Sequence, residues 1–348
     1  TESFEALGQT WVGALGLQYD DEDFSSLGAE AYVVPNLTES IALFSLQETT
    51  WGAATLSFGA RVEQTKIKAD MEYGHDHDLD HDHADDMALE KDRRKFTVGS
   101  MSAGVVWPIN EGWQATANVS YAQRAPSAGE LFANGAHLAT FSFERGNANL
   151  VRESARNLDL GLHHHSDRFD LRANAFYKDV DDFILWQPVD ETLGGFPVRV
   201  ATQADAKLYG TEVMATWQFH NTPAGDFDLE ARHDWVRGKL DEGTSLPRIS
   251  PQRLSLSTDW HQGPWRASVS WQHLFDQDQT ALHETPTQGY DLINARLAYT
   301  IDFSSTTMTA FIEGKNLTNQ LARVHTSYLK DYAPLPGRAL IVGLRGAF

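Results

Sequence analysis

Long stretches of period-two hydrophobicity run through this chain, and the segments joining them alternate strictly between long and short. That rhythm limits the possible folds more than any composition figure. In "WRASVSWQH", Trp265, Ala267, Val269 and Trp271 alternate with Arg266, Ser268, Ser270 and Gln272. In "FDLRANAFYKD", Phe169, Leu171, Ala173, Ala175 and Tyr177 face one way, and Asp170, Arg172, Asn174 and Lys178 the other. Successive side chains on a strand point to opposite faces, so each stretch reads as a strand with one apolar and one polar side.

About fourteen such strands are predicted, over 9–19, 39–49, 53–69, 94–107, 112–123, 154–164, 167–185, 206–220, 226–239, 252–261, 264–275, 288–302, 305–316 and 337–348. Turns such as "PINEG", "HHSD" and "HQGP" are short. The stretches 124–152 and 186–205 and the segment "NLTNQLARVHTSYLKDYAPLPG" are long. In an up-and-down antiparallel barrel this places every long loop at one rim and every tight turn at the other, as in transmembrane outer-membrane barrels. Sandwiches and propellers do not require that alternation.

The bulk properties agree. A net charge of -20 argues against a nucleic-acid partner, which needs a basic surface. The chain has no cysteine, so any metal must be held by nitrogen and oxygen ligands. No stretch approaches the roughly 20 apolar residues of a transmembrane helix. In "GRALIVGLRGAF", Leu340, Val342, Leu344, Gly346 and Phe348 share one face, the pattern of a closing strand that meets lipid and the barrel-assembly machinery. No serine–histidine–acid or paired-carboxylate constellation stands out, so an enzyme is not expected and no catalytic cofactor is implied.

Several segments carry a family resemblance: "SYAQRAPSAGELFANGAH" (120–137), "ERGNANLVRESARNLDLGL" (144–162), "ANAFYKDVDDFI" (173–184), "GKNLTNQ" (314–320) and the closing strand. With these the chain resembles TonB-dependent outer-membrane receptors. "LGLQYDDEDFSSLGAEAYVVPNLTESIALFSLQE" (15–48), with a histidine–aspartate loop between two strands, is similar to the zinc-uptake subgroup. The resemblance implies the outer membrane of a Gram-negative bacterium, a barrel of about 22 strands in lipid, a plug inside it and energy coupling through TonB–ExbB–ExbD. The chain starts at Thr1 without an initiator Met, so residues 1–348 are expected to be the C-terminal portion of such a barrel, with the plug, the TonB box and about eight strands lying elsewhere. Two alternatives stay open. One is a receptor for a metal chelate (siderophore, haem or cobalamin). The other is a passive or adhesive barrel of about fourteen strands closing on itself.

The chemistry concentrates in loops. The loop 70–93 contains "HDHDLDHDH", with His75, His77, His81 and His83 on one side of an extended chain and Asp76, Asp78, Asp80 and Asp82 on the other. Neighbours on one face lie about 6.6–7 Å apart, so a small bend brings two imidazoles onto one cation. Imidazole and carboxylate suit Zn2+, Cu2+ or Ni2+ rather than calcium. A weak, fast-exchanging collector is expected, losing metal as pH falls through about 6.5. An inert polar loop is the alternative. A more rigid transport site is expected where long loops converge, with Glu130, His137, Glu144, His283 and His325 as candidates. "HHH" (163–165) falls at the short-turn rim, with His164 facing lipid or headgroups.

Overall fold

A computed structural model describes residues 2–26, 28, 31–69, 93–303 and 306–347. Its strands join in one sheet. In chain order they are β1 (Glu2–Ala6), β2 (Gln9–Phe24), β3 (Asn36–Trp51), β4 (Ala54–Ala69), β5 (Arg93–Asn110) and β6 (Trp113–Arg124), then helix α1 (Ala128–Phe132). There follow β7 (Asn134–His137), β8 (Ser142–Arg145), β9 (Glu153–His165), β10 (Phe169–Leu193), β11 (Phe196–Thr222) and β12 (Gly225–Leu240). The set ends with β13 (Arg253–Gln262), β14 (Trp265–Leu274), β15 (Tyr290–Phe303), β16 (Thr306–Lys315) and β17 (Ala339–Ala347).

Apart from the small β7–β8 hairpin, every strand pairs antiparallel with its sequence neighbours, β6 passing directly to β9. The wall is therefore an up-and-down antiparallel one, as the loop rhythm predicts. It holds one strand more than the sequence count, because β1 is only five residues long and precedes the first predicted stretch. Among the described residues the registers pair β1 with β2 and β17 with β16.

The expected long loop at 186–205 is a correction. β10 and β11 continue upward as a tall hairpin and turn through Gly194 and Gly195, at φ 57° and 86°. Two successive positive φ values are what a two-residue hairpin turn of the favoured twist requires, and glycine adopts them without steric cost.

Outward positions are apolar. Leu15 is 75% exposed and Leu344 65%, values that fit a face immersed in lipid. Near the short turns an aromatic row runs round the wall: Trp113 against His164 at 4.5 Å, His164 against Phe169 at 5.7 Å, Phe169 against Trp217 at 5.1 Å and Trp265 against Tyr299 at 4.6 Å. It marks one membrane interface. The protein's own core sits at the opposite rim. There Ile67, Phe96, Leu131, Phe132, Leu150 and Ile184 are buried together under the 125–152 connection. Gly146 allows this: a Cβ there would lie 2.7 Å from the backbone of Leu131 and Phe132.

Candidate functional site

The 125–152 connection folds because its first residues cap a helix. Ser127 Oγ accepts from the Glu130 backbone N–H at 3.2 Å, and Glu130 Oε2 accepts from the Ser127 backbone N–H at 2.8 Å. This capping box satisfies two donors that a helix start leaves free. Arg124 also donates to both oxygens of Glu130, at 2.9 and 3.1 Å. The Glu130 carboxylate is thus occupied by its own helix and strand, and "APSAGELF" serves as the structural motif its sequence suggested.

The chain then forms β7 and β8, whose register sets Gly135 opposite Glu144 and His137 opposite Ser142. β8 lies parallel to Val198–Val200 of the tall hairpin. This small sheet brings two of the predicted residues together. Glu144 is buried, at 4% exposure, and its Oε1 accepts from His137 Nδ1 at 3.0 Å and from Thr140 Oγ1 at 2.9 Å. A carboxylate only accepts, so Nδ1 carries the proton, and in the neutral imidazole it is Nε2 that keeps the lone pair. Tyr32 stacks on the imidazole at 4.1 Å, 6° from coplanar. Burial first, and then the Glu144 charge, push the Tyr32 hydroxyl above its ordinary pKa.

The other two histidine candidates lie where three connections converge: 241–252, 275–289 and 316–338. His325 is 1% exposed. Its Nδ1 is 2.9 Å from Thr287 Oγ1 and 3.4 Å from Lys330 Nζ, and its Nε2 is 3.3 Å from Glu284 Oε1. Lys330 Nζ donates to the Thr285 carbonyl at 2.6 Å and lies 3.5 Å from Glu284. Backbone N–H groups of Arg248 and Ala281 complete the shell of Glu284 at 2.9 and 3.0 Å. His325 is therefore enclosed in an ionic knot that fastens loop to loop. His283, at φ 59°, sets Nε2 3.7 Å from Asp190 on the tall hairpin. Between these groups, Arg199 and Arg248 lie over the Tyr328 ring at 4.8 and 3.7 Å. Sequence reading missed Glu284 and Lys330, which carry no motif, and Tyr32, which lies within the 15–48 stretch but was not singled out there.

At the other rim, His163 and His165 both reach Asp170 Oδ2, at 2.9 and 3.3 Å, while His164 sits in the aromatic row. Among the described residues, no three histidine or acidic side chains are arranged to hold a metal ion. His75, Asp76, His77, Asp78, Asp80, His81, Asp82 and His83 of the predicted collector lie outside the described residues, as does Phe348.

The family described as "TonB dependent receptor-like, beta-barrel" matches residues 1–317. The heme/hemopexin utilization protein C of Haemophilus influenzae (strain 86-028NP) is 29% identical over 182 residues, covering 46% of this chain and 25% of that protein. Among solved structures, the copper transporter OprC superposes with a TM-score of 0.76 at 18% identity, over 98% of this chain and 55% of its own. The ferric citrate transporter FecA gives 0.73 at 15% identity, over 99% and 53%. The FrpB iron transporter from Neisseria meningitidis (F3-3 variant) gives 0.65 at 14% identity, over 98% and 52%. This chain spans about half the length of those structures and aligns with a quarter of the curated relative.

Proposed function

The chain belongs to the TonB-dependent receptor β-barrel family, an outer-membrane family of receptors rather than enzymes, and from that premise we propose that it takes up a divalent transition-metal ion, zinc foremost. The observation that carries this reading is the His137–Glu144 pair on the long-loop rim. A metal-ligating histidine usually gives its second ring N–H to a carboxylate, which fixes the tautomer and raises the basicity of the free nitrogen. His137 meets that condition, with Nε2 left to bind. With no cysteine in the chain, nitrogen and oxygen donors suit Zn2+, Ni2+ or Cu2+ better than Cu+.

In this reading the 70–93 tract gathers the cation, with His75, His77, His81, His83 and their aspartates as loose ligands, and His137 receives it. Residues 1–348 serve as barrel. Energy would come from TonB–ExbB–ExbD acting on a plug, and insertion would use the closing strand and the barrel-assembly machinery. Uptake of isotopic zinc by cells carrying the receptor, against cells carrying His137→Ala, tests the proposal. Equal uptake by both removes it.

A second reading has its own support. Arg199 and Arg248 flank Tyr328 at the same rim and would suit an anionic chelate such as a siderophore or haem. Growth on chelated iron or haem without zinc uptake would favour it.

A further inference from the structure

The run His163–His164–His165 stands at the short-turn rim, away from the long loops, and its first and last members share one partner. His164 belongs to the aromatic row on the lipid face, so strand parity turns His163 and His165 to the lumen. The register sets His165 directly across from Asp170 and His163 across from Arg172. Asp170 Oδ2 accepts from both imidazoles, from His163 Nε2 at 2.9 Å and from His165 Nδ1 at 3.3 Å. The other carboxylate oxygen lies 3.2 Å from Arg172 Nε, which orients Asp170 and leaves Oδ2 to the rings.

Other histidine–aspartate couples on the lumen wall near this rim are one to one: His220 with Asp228 at 3.0 Å and His261 with Asp226 at 3.7 Å. Among the described residues, Asp170 is the carboxylate that two imidazoles reach. Zinc ligands about 2.0–2.1 Å from the ion, at tetrahedral angles, stand about 3.3–3.4 Å from one another. Both nitrogen–oxygen separations at Asp170 come within about half an ångström of that edge. As they rest, the three groups are joined by protons and do not surround an ion position. The His165 side chain is 73% exposed, so its ring is free to turn and bring Nδ1 to a common point with the other two.

We propose that His163 Nε2, His165 Nδ1 and Asp170 Oδ2 close on a divalent transition-metal ion at the periplasmic mouth of the lumen. Each neutral ring moves its proton to its other nitrogen, Nδ1 in His163 and Nε2 in His165, and gives the ion the nitrogen it frees. Two imidazoles and a carboxylate suit such an ion. Three protein ligands leave a fourth position to water or to an acceptor, the open coordination from which an ion can be passed on. A place in an exit path rests on the divalent-ion uptake proposed above; the binding site itself does not.

The test is zinc binding by the receptor purified in detergent, lacking 73–86 and carrying His137→Ala so that neither the tract nor the long-loop histidine contributes. Calorimetry at neutral pH should find a site that His163→Ala with His165→Ala abolishes. Asp170→Asn, which keeps the shape of the side chain, should weaken it by at least about tenfold, since even the outer partners of a metal ligand are worth about 10–100-fold. His220→Ala, from a one-to-one couple on the same wall, should leave it intact. Cobalt in place of zinc should give the visible absorption of a tetrahedral site and lose it in the double variant. Heat-modifiable gel mobility confirms that each variant is a folded barrel. An isotherm unchanged by the double variant overturns the proposal, and so does one that His220→Ala changes equally. The readout is binding at a rim remote from His137, so failure of the uptake proposal leaves this site standing, and its own failure leaves that proposal standing.

Discussion

The Nδ1–H of His137 donates to Oε1 of Glu144 across 3.0 Å, and the carboxylate that accepts it is almost fully buried. The imidazole is therefore fixed in one tautomer before any ligand arrives. Glu144→Gln keeps the shape but weakens the acceptor and can turn its amide toward the ring. Zinc affinity at the rim should fall by about 10–100-fold, the usual cost of losing such a partner. Zinc titration by calorimetry of the receptor lacking 73–86 checks this, with His137→Ala in the same background as the reference for full loss. An unaltered isotherm in Glu144→Gln would count against the assignment.

The Glu284–His325–Lys330 knot predicts a different response. The Glu284 and Lys330 side chains are 9% and 7% exposed, so removing one partner leaves a buried charge uncompensated. Lys330→Met should destabilise the packing of 275–289 against 316–338 by about 3–5 kcal/mol. The barrel wall itself should not respond. Hydrogen exchange separates the two: protection should drop in those connections and stay unchanged in β14 and β15.

The same carboxylate sets an acid limit. Burial alone would push the Glu284 carboxyl up. The facing His325 imidazole, the backbone N–H groups of Ala281 and Arg248, and the Lys330 ammonium outweigh it and bring it down to about 2 from an ordinary 4.5. A depressed folded value means the stabilisation is complete above about 4.5 and is lost as pH falls toward 2. It amounts to at most about 3 kcal/mol. Loop protection measured from pH 6 downward should hold to roughly 4.5 and then decline, and Glu284→Gln should flatten that decline.

How legible this was depended on the range of the interactions involved. Wall strands are written locally, in the alternation along "FDLRANAFYKD" and its equivalents, because lipid on one side imposes period two without reference to any partner strand. The tall hairpin was misread because Pro188, Pro197 and two glycines look like loop residues. Bulges between Val180 and Phe183 and between Pro188 and Thr192 absorb the irregularity, and the "GG" turn signal was present in the sequence. The site was legible only as separate residues. His137 and Glu144 meet because β7 and β8, four residues each, are held against β11 from more than fifty residues away. Glu284 shows nothing in "ALHETPTQ" to mark it, since its partners come from three different connections.

Collection and selection should separate experimentally. The tract 73–86 is a string of imidazoles and carboxylates, and the fixed imidazole of His137 belongs to a hairpin of the rim. A collector of many weak ligands raises the local concentration of every cation it binds and so acts on the amount captured, whereas a fixed ligand acts on which metal passes. Deleting 73–86 should raise the external zinc needed for half-maximal uptake by about tenfold, an effective-concentration effect, while leaving the order of preference among zinc, nickel and copper unchanged. His137→Ala should lower uptake at all concentrations and alter that order. Competition uptake with the three metals in both variants gives the answer: a changed preference in the deletion, or an unchanged one in His137→Ala, would reverse the roles assigned to them.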